Sequence, residues 1–266
     1  MKIEEIYDLK DDEQKVHALY EIFDEDARLT RSRAAGVEFL TNVRYIEKYL
    51  KPGMMLLDVG AGAGEYSLYF AKKGYEVAAV ELAWANVKAF EKKIEPDMKL
   101  NLNQGNALDL SDYADGSFDI VLVFGPLYHL SKEEDRQRCI AEAMRVCKPD
   151  GILFFAFISN DMVPLTEFFC YDDKFFNTGA YDRKTFKVED FPFVFFTLDQ
   201  CRVMLEAGQV KMLHEVASDG VSELLQEKIN SLDEEGFSRY LAYHFYCCEK
   251  PEMLGRSNHL LFVGKK

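Results

Sequence analysis

Six residues, Met54-Met55-Leu56-Leu57-Asp58-Val59, run directly into Gly60-Ala61-Gly62-Ala63-Gly64 and then into Glu65-Tyr66. A short apolar run closed by glycine reads as a strand buried on both faces. Glycines at its end let a ligand reach the backbone with no side chain in the way. The next residues, 65–73, read as a helix ended by Gly74. The free N–H groups and positive dipole end at the start of such a helix suit a carboxylate or phosphate. A strand, a glycine loop and a helix in this order need a parallel sheet to sit in, which leaves few folds open.

The rest of the chain supplies that sheet. Residues 75–80, 100–104, 118–123 and 152–158 read as strands, with helices at 84–94 and 131–147 between them. Ser131 with Glu134 reads as a capping box, and Lys148-Pro149-Asp150-Gly151 as a turn. Further on, a helix at 197–207 opens with Thr197 and Gln200, followed by strands at 210–217 and 260–263. Alternation of this kind argues a parallel sheet with right-handed crossovers. Upstream, residues 12–28 are polar and weakly periodic, and read as a helix. Residues 31–50 form a better helix, with Ala35, Phe39, Val43, Ile46 and Leu50 as its apolar stripe and Lys51-Pro52-Gly53 as its stop.

Composition narrows the partners. Lys and Arg number 32 against 46 Asp and Glu, a formal charge of −14, and basic residues cluster no further than pairs such as Lys72-Lys73. Such a chain repels nucleic-acid phosphates, so no nucleic acid is expected as partner. No apolar stretch of ~18 residues is present, so no membrane partner is expected either. The first residues, Met1 to Asp8, are polar and acidic rather than a secretory leader. Cys139, Cys147, Cys170, Cys201, Cys247 and Cys248 show no metal-ligand spacing. They read as reduced thiols of a cytoplasmic protein with no metal.

Four pieces carry chemistry, all at carboxyl ends of predicted parallel strands, where open α/β sheets bind ligands. The first is the glycine loop. Its spacing is G-x-G-x-G, whereas a dinucleotide fingerprint needs G-x-G-x-x-G and would find Glu65 at its sixth position. The second is Glu81, an acid able to accept both hydroxyls of a ribose. The third is Gly105-Asn106-Ala107, where Asn106 can meet an adenine edge. The fourth is Phe124-Gly125-Pro126-Leu127-Tyr128-His129.

Together these resemble the class I S-adenosylmethionine-dependent methyltransferases. Residues 54–64 are similar to that superfamily's first motif, Glu81 to its ribose-binding acid, Asn106-Ala107 to its adenine turn and 118–129 to its fourth motif. The resemblance implies a doubly wound, seven-stranded, mostly parallel α/β sheet of Rossmann-like kind, with an antiparallel last strand at 259–264. It implies S-adenosylmethionine as cofactor and S-adenosylhomocysteine as product. The implied cofactor residues are Asp58, Gly60, Ala61, Gly62, Gly64, Tyr66, Glu81, Leu82, Asn106, Ala107, Phe124 and Gly125. Val37-Glu38-Phe39-Leu40, Arg44-Tyr45-Ile46, Gly125 to Leu130 and Tyr243-His244-Phe245 resemble a bacterial group without a settled substrate.

Two stretches interrupt the alternation. Residues 159–196 are dense in aromatics: Phe168, Phe169, Tyr171, Phe175, Phe176, Tyr181, Phe186, Phe191, Phe193, Phe195 and Phe196. Residues 219–255 are mostly helical. Both leave from carboxyl ends of strands, so with residues 1–50 they are expected to cap a core made of 51–158, 197–218 and 256–266. Methyl transfer from a sulfonium asks for alignment and exclusion of water, and sometimes for a proton acceptor. Tyr128 and His129 are the catalytic candidates, His129 as general base or else as a helix cap. Glu38, Tyr45, Tyr128, Tyr243 and His244 are candidate substrate contacts. Gly125-Pro126-Leu127-Tyr128 fits neither the adenine-amino nor the cytosine methylase pattern. Asp161 follows one central strand, but no acid at 124–129 would join it in a metal site. The expectation is a methyltransferase of a small molecule, at O, N or S. The alternatives are a non-catalytic binder of the same cofactor, or a methylase of a macromolecule.

Overall fold

The computed structural model describes residues 3–26, 28–190 and 192–266. The helices are α1 (Ile3–Tyr7), α2 (Asp12–Tyr20), α3 (Arg33–Tyr49), α4 (Glu65–Lys72), α5 (Trp84–Glu91), α6 (Glu133–Val146), α7 (Val163–Thr166), α8 (Leu198–Ala207), α9 (Gln226–Asn230), α10 (Glu234–Cys247) and α11 (Pro251–Leu254). The strands are β1 (Met55–Val59), β2 (Glu76–Glu81), β3 (Leu100–Gln104), β4 (Phe118–Val123), β5 (Cys147–Ser159), β6 (Phe195–Phe196), β7 (Lys211–Ala217) and β8 (His259–Lys265).

Seven strands lie in the order β3-β2-β1-β4-β5-β8-β7, and the eighth, the two-residue β6, pairs with the end of β5. β1 to β5 pair in parallel, whereas β8 is antiparallel to both β5 and β7. The expected seven-stranded sheet is therefore present with one added pair. Phe195 and Phe196, which the sequence assigns to the aromatic insertion, form that pair with β5.

Alternate residues of the central strands feed two cores. Leu57, Val59, Val121 and Val123 pack with α6 and α8 through Ile140, Ala143, Cys201 and Leu205. Leu56, Ile120, Leu122 and Phe154 pack on the other face with α3 and α4 through Val43, Ile46, Phe70 and Ala71. This two-sided burial explains why β1 and β4 read as unbroken apolar runs. Each large side chain so buried contributes roughly 1.5–3 kcal/mol.

Several local expectations need correcting. α2 is shorter than the predicted 12–28 and ends at Tyr20. The capping box at Ser131 does not form. Its N–H and hydroxyl both donate to Asp12 Oδ2, at 2.7 and 2.8 Å, and α6 starts at Glu133 without a side-chain cap. The turn at 148–151 lies within β5, where Asp150 takes a positive φ of 65°. The buried face of α3 is wider than the predicted stripe: Val43, Ile46 and Leu50 are buried and Phe39 packs beside them, but the face does not stop there. It includes the polar residues Glu38, Thr41 and Asn42, because α3 packs against helices α9 and α10 as well as the sheet. Asn42 donates to the Tyr66 hydroxyl (2.9 Å) and accepts from Ser218 (2.9 Å), and Thr41 contacts His244 Nε2 (3.0 Å). Polar residues paired across elements leave no trace in apolar periodicity.

The aromatic stretch after β5 forms its own small core. Tyr181 stacks between Phe175 and Phe186, and Phe175, Val188 and Phe195 are buried with Ile158. Phe191 lies outside the described residues. No helix among the described residues is long and apolar enough to cross a membrane.

Candidate active site

The carboxyl ends of β1, β2, β3 and β4 converge on one cavity of ≈ 230 Å³. The loop after β1 is shaped by its own chain. A Cβ on Gly60 would stand 2.5 Å from the Pro126 ring, and one on Gly64 would stand 2.3 Å from Phe90. Both residues also have positive φ, 75° and 91°, which side-chain-bearing residues rarely adopt. Gly64 is thus fixed by packing and does not reach the cavity. Every other residue implied as a cofactor ligand lines it: Asp58, Gly60, Ala61, Gly62, Tyr66, Glu81, Leu82, Asn106, Ala107, Phe124 and Gly125.

Two buried carboxylates dominate the floor. Glu81 Oε2 accepts from the Gly62 N–H at 2.8 Å, while Oε1 accepts from the Ala83 N–H at 2.8 Å and from Asn86 at 3.2 Å. Burial raises the Glu81 pKa against the pull of those donors. Asp58 Oδ2 accepts from Ser67 at 2.7 Å, but its buried Oδ1 has no partner. Burial outweighs the Ser67 bond, and with repulsion from Glu81 it brings Asp58 to about 7. A buried carboxylate oxygen with no donor from the protein, lining a cavity, can accept from a ligand N–H or O–H.

The roof was invisible in the sequence. α2 and the residues after it lay Val16, Tyr20, Glu25 and Arg28 over the cavity. Asn106, expected to meet an adenine, already donates to Glu13 (3.2 Å) and accepts from the Leu108 N–H (2.9 Å). No stripe or motif in 12–28 signals this placement, since its contacts are single polar bonds to distant loops.

A second chamber of ≈ 780 Å³ lies beside the first. The two share Tyr20, Glu25, Arg28, Glu38 and Tyr128 as walls. Arg28 bridges Glu25 (2.7 Å) and Glu38 (3.0 Å) there. Phe175, Phe193 and Phe195 from the aromatic insertion line the far side. Glu38, Asp219 and His259 meet at one edge, with ligand atoms within 4.8 Å of one another.

Of the catalytic and substrate candidates, Glu38 lines both chambers, as does Tyr128, and His129 lines the smaller one. Burial, only partly opposed by Asp12, pulls His129 down to about 4, and its Nε2 lies 2.9 Å from the Tyr20 hydroxyl. Burial likewise raises the Tyr128 hydroxyl far above its usual pKa, so it stays protonated. Tyr45, Tyr243 and His244 line neither chamber. Tyr45 donates to Glu249 (2.5 Å), His244 is buried against Thr41, and Tyr243 is 60% exposed. All three serve or flank the packing of α3 with α10. Sequence reasoning missed Tyr20, Arg28, Asp219 and His259, whose contacts join segments far apart in the chain.

Comparison with known proteins agrees with this geometry. Residues 57–155 match the methyltransferase domain family. The sheet that holds this methyltransferase domain has the Rossmann-like strand order seen in solved S-adenosylmethionine-dependent methyltransferases. It is 32% identical to a glycine/sarcosine N-methyltransferase of Aphanothece halophytica, over 41% of this chain and 42% of that one. It is 34% identical to a demethylmenaquinone methyltransferase of Renibacterium salmoninarum, over 41% and 43%. The chain thus matches less than half the length of these curated relatives. A solved S-adenosylmethionine-dependent methyltransferase of Methanosarcina mazei shares the fold at TM-score 0.55 and 20% identity, covering 84% of this chain and 96% of that one.

Proposed function

We propose that the protein transfers the methyl group of S-adenosylmethionine to a small molecule held in the larger chamber. The observation that carries this reading is the pairing of two cavities. One has a glycine loop, a buried acid with an unpartnered oxygen and a second buried acid at the next strand end. The other is aromatic-lined and shares a wall with the first.

The residues fit the cofactor. Glu81 Oε2 has one partner and keeps a lone pair for a ribose hydroxyl. Asp58 Oδ1 offers an acceptor, and the Asn106–Leu108 turn gives backbone and methyl surface for a base. When bound, S-adenosylmethionine supplies an electrophilic methyl carbon on a sulfonium. The chain's own part is positional. An acceptor in the larger chamber would meet the cofactor past the shared wall of Tyr20, Arg28, Glu38 and Tyr128, under the residues that α2 lays over the smaller cavity. The relatives' names cover an amino-acid nitrogen and a quinone precursor, which supports a small acceptor without choosing among O, N and S. We also infer a cytoplasmic protein that uses no metal and takes neither nucleic acid nor membrane as partner.

Calorimetric titration with S-adenosylmethionine, S-adenosylhomocysteine and NADH tests the reading. Micromolar binding of the first two with none of NADH is expected. Binding of NADH alone would sink it, and binding of the sulfur ligands without methyl transfer to any small acceptor would leave a sensor.

A further inference from the structure

The larger chamber has a polar focus that the cofactor does not explain. His259 opens β8 at the sheet's carboxyl edge, and its Nδ1 lies 2.7 Å from Asp219 Oδ2 and 3.5 Å from Glu38 Oε2. Asp219 is itself held, accepting at Oδ1 from Ser257 (2.6 Å) and from the His259 backbone N–H (3.1 Å). Glu38 is held by Arg28. Nδ1 is thus fixed as a donor, which puts the lone pair of the neutral ring on Nε2. That atom makes no hydrogen bond among the described residues, and His259 lines the chamber. A carboxylate orienting one ring nitrogen while the other faces a cavity is the arrangement of a positioned base.

The surroundings choose the acceptor. Acids outnumber arginines on the chamber wall. Glu167 sits close enough to Glu223 that repulsion, added to burial, raises its pKa. Aromatic faces such as Phe175 and Phe193 add attraction for a cation. We propose that the larger chamber takes an amine with an apolar or aromatic body, and that His259 is the base that removes its proton. This rests on the methyltransferase reading above. The ammonium N–H bond breaks as Nε2–H forms, with the freed pair left on nitrogen. That pair then forms the N–C bond while the C–S pair goes to sulfur, giving a methylated ammonium and a neutral thioether.

The proton affinities match. Burial pulls the His259 imidazolium down, but the charges of Glu38 and Asp219 and the Asp219 hydrogen bond outweigh it, and despite Arg28 they bring it up to about 9. An alkylammonium has a pKa of ~10.4 and an ordinary histidine ~6.5, so only a raised histidine can take the amine's proton without a steep uphill transfer. The groups that face His259 are Glu38 from α3, Arg28 from the segment after α2, and Asp219 after β7. An incoming ammonium adds to Arg28 and drives the ring to its neutral form.

The test uses the full chain saturated with S-adenosylhomocysteine. Phenethylamine, 2-phenylethanol and 3-phenylpropionate, which share a ring and differ in charge, are titrated at pH 7.5 in two buffers of different ionisation enthalpy. The amine is expected to bind at least ~10-fold tighter than the other two and to release close to one proton. His259→Gln should abolish the release with S-adenosylhomocysteine affinity unchanged, and slow methylation of the amine by ~10²-fold or more with little change in KM. If that variant no longer binds S-adenosylhomocysteine, Asp219→Asn gives the same reading through a lower pH midpoint for release. Preference for the alcohol or the acid, equal binding of all three, or proton release that survives both variants would overturn the amine assignment. So would tight Zn²⁺ binding that His259→Gln abolishes. Failure of the wild type to bind S-adenosylhomocysteine at all would instead fell the methyltransferase reading.

Discussion

The Tyr20 hydroxyl stands 2.9 Å from His129 Nε2, tying the end of α2 to the loop after β4. The bond has two consequences. It commits the ring nitrogen that a general base at His129 would need, in a histidine already held neutral by burial. It also fastens the roof of the cofactor cavity, with Asp12 on Ser131 and Glu13 on Asn106 as further ties. Tyr20→Phe should therefore leave the chemistry intact and loosen the roof. One lost bond of this kind is worth about 1 kcal/mol. Dissociation of S-adenosylhomocysteine, followed by stopped flow, is expected to speed up ~5-fold. An unchanged rate would show that α2 does not retain the ligand.

Glu81→Ala should weaken S-adenosylmethionine binding by ~1–3 kcal/mol, since it removes a charged acceptor at the floor of the cavity. It also strips the Gly62 and Ala83 N–H groups of their acceptor, so the melting point should fall as well. Glu81→Gln keeps an acceptor and should restore most of the melting point but not the affinity. Calorimetry and a thermal melt on both variants separate the two effects.

Asp58 gives stability a pH slope of opposite sign to a paired carboxylate. Its folded-state pKa, about 7, lies above the ordinary value of 3.8. The folded state therefore holds a proton that the unfolded state has lost. Stability from this site is greatest below pH ~4 and declines as pH rises to 7, by a few kcal/mol at most. Urea midpoints measured at pH 5 and pH 7.5 should differ less in Asp58→Asn than in the wild type. Equal differences in both proteins would show that Asp58 is already relieved of its charge by another group.

His259 acts in a separate window. Its pKa is raised from 6.5 to about 9, so the stability it contributes is full below pH ~6.5 and lost as pH climbs through 9. Its charged neighbours Glu38 and Asp219 are then left without a cation between them. Thermal melts from pH 6 to 10 should show a loss above pH 8 that His259→Gln lacks.

What the sequence displayed was what neighbouring residues decide together. The run 54–66 reads as strand, loop and helix because each residue's role depends on those beside it, and the G-x-G-x-G spacing and Glu81 follow from the same unit. The roof and the acceptor wall obey a different logic. Arg28 meets Glu38 only because the turn after α2 doubles back along α3, and Asp219 meets His259 only because β8 returns beside β7. Each is one charged residue in a polar stretch, without a stripe or a spacing of its own. The predicted stripe of α3 was incomplete for a related reason: Val43, Ile46 and Leu50 are buried as their spacing implies, but Glu38 is buried against Arg28 and His259, and Thr41 and Asn42 against His244, Ser218 and Tyr66, none of which their own helix's pattern shows.

β8 slots between β5 and β7, pairing Ile158 with His259 and Ala217 with Leu260. On a ribosome, the strand that completes the middle of this half of the sheet is made after both of its neighbours. Until it arrives, β5 and β7 each keep an open edge, the kind of edge on which chains aggregate. His259 arrives with it, so the acceptor chamber receives its base only at the moment the sheet closes. A nascent chain halted before residue 259 could hold the whole glycine loop and Glu81, yet lack the wall that gives an acceptor its place.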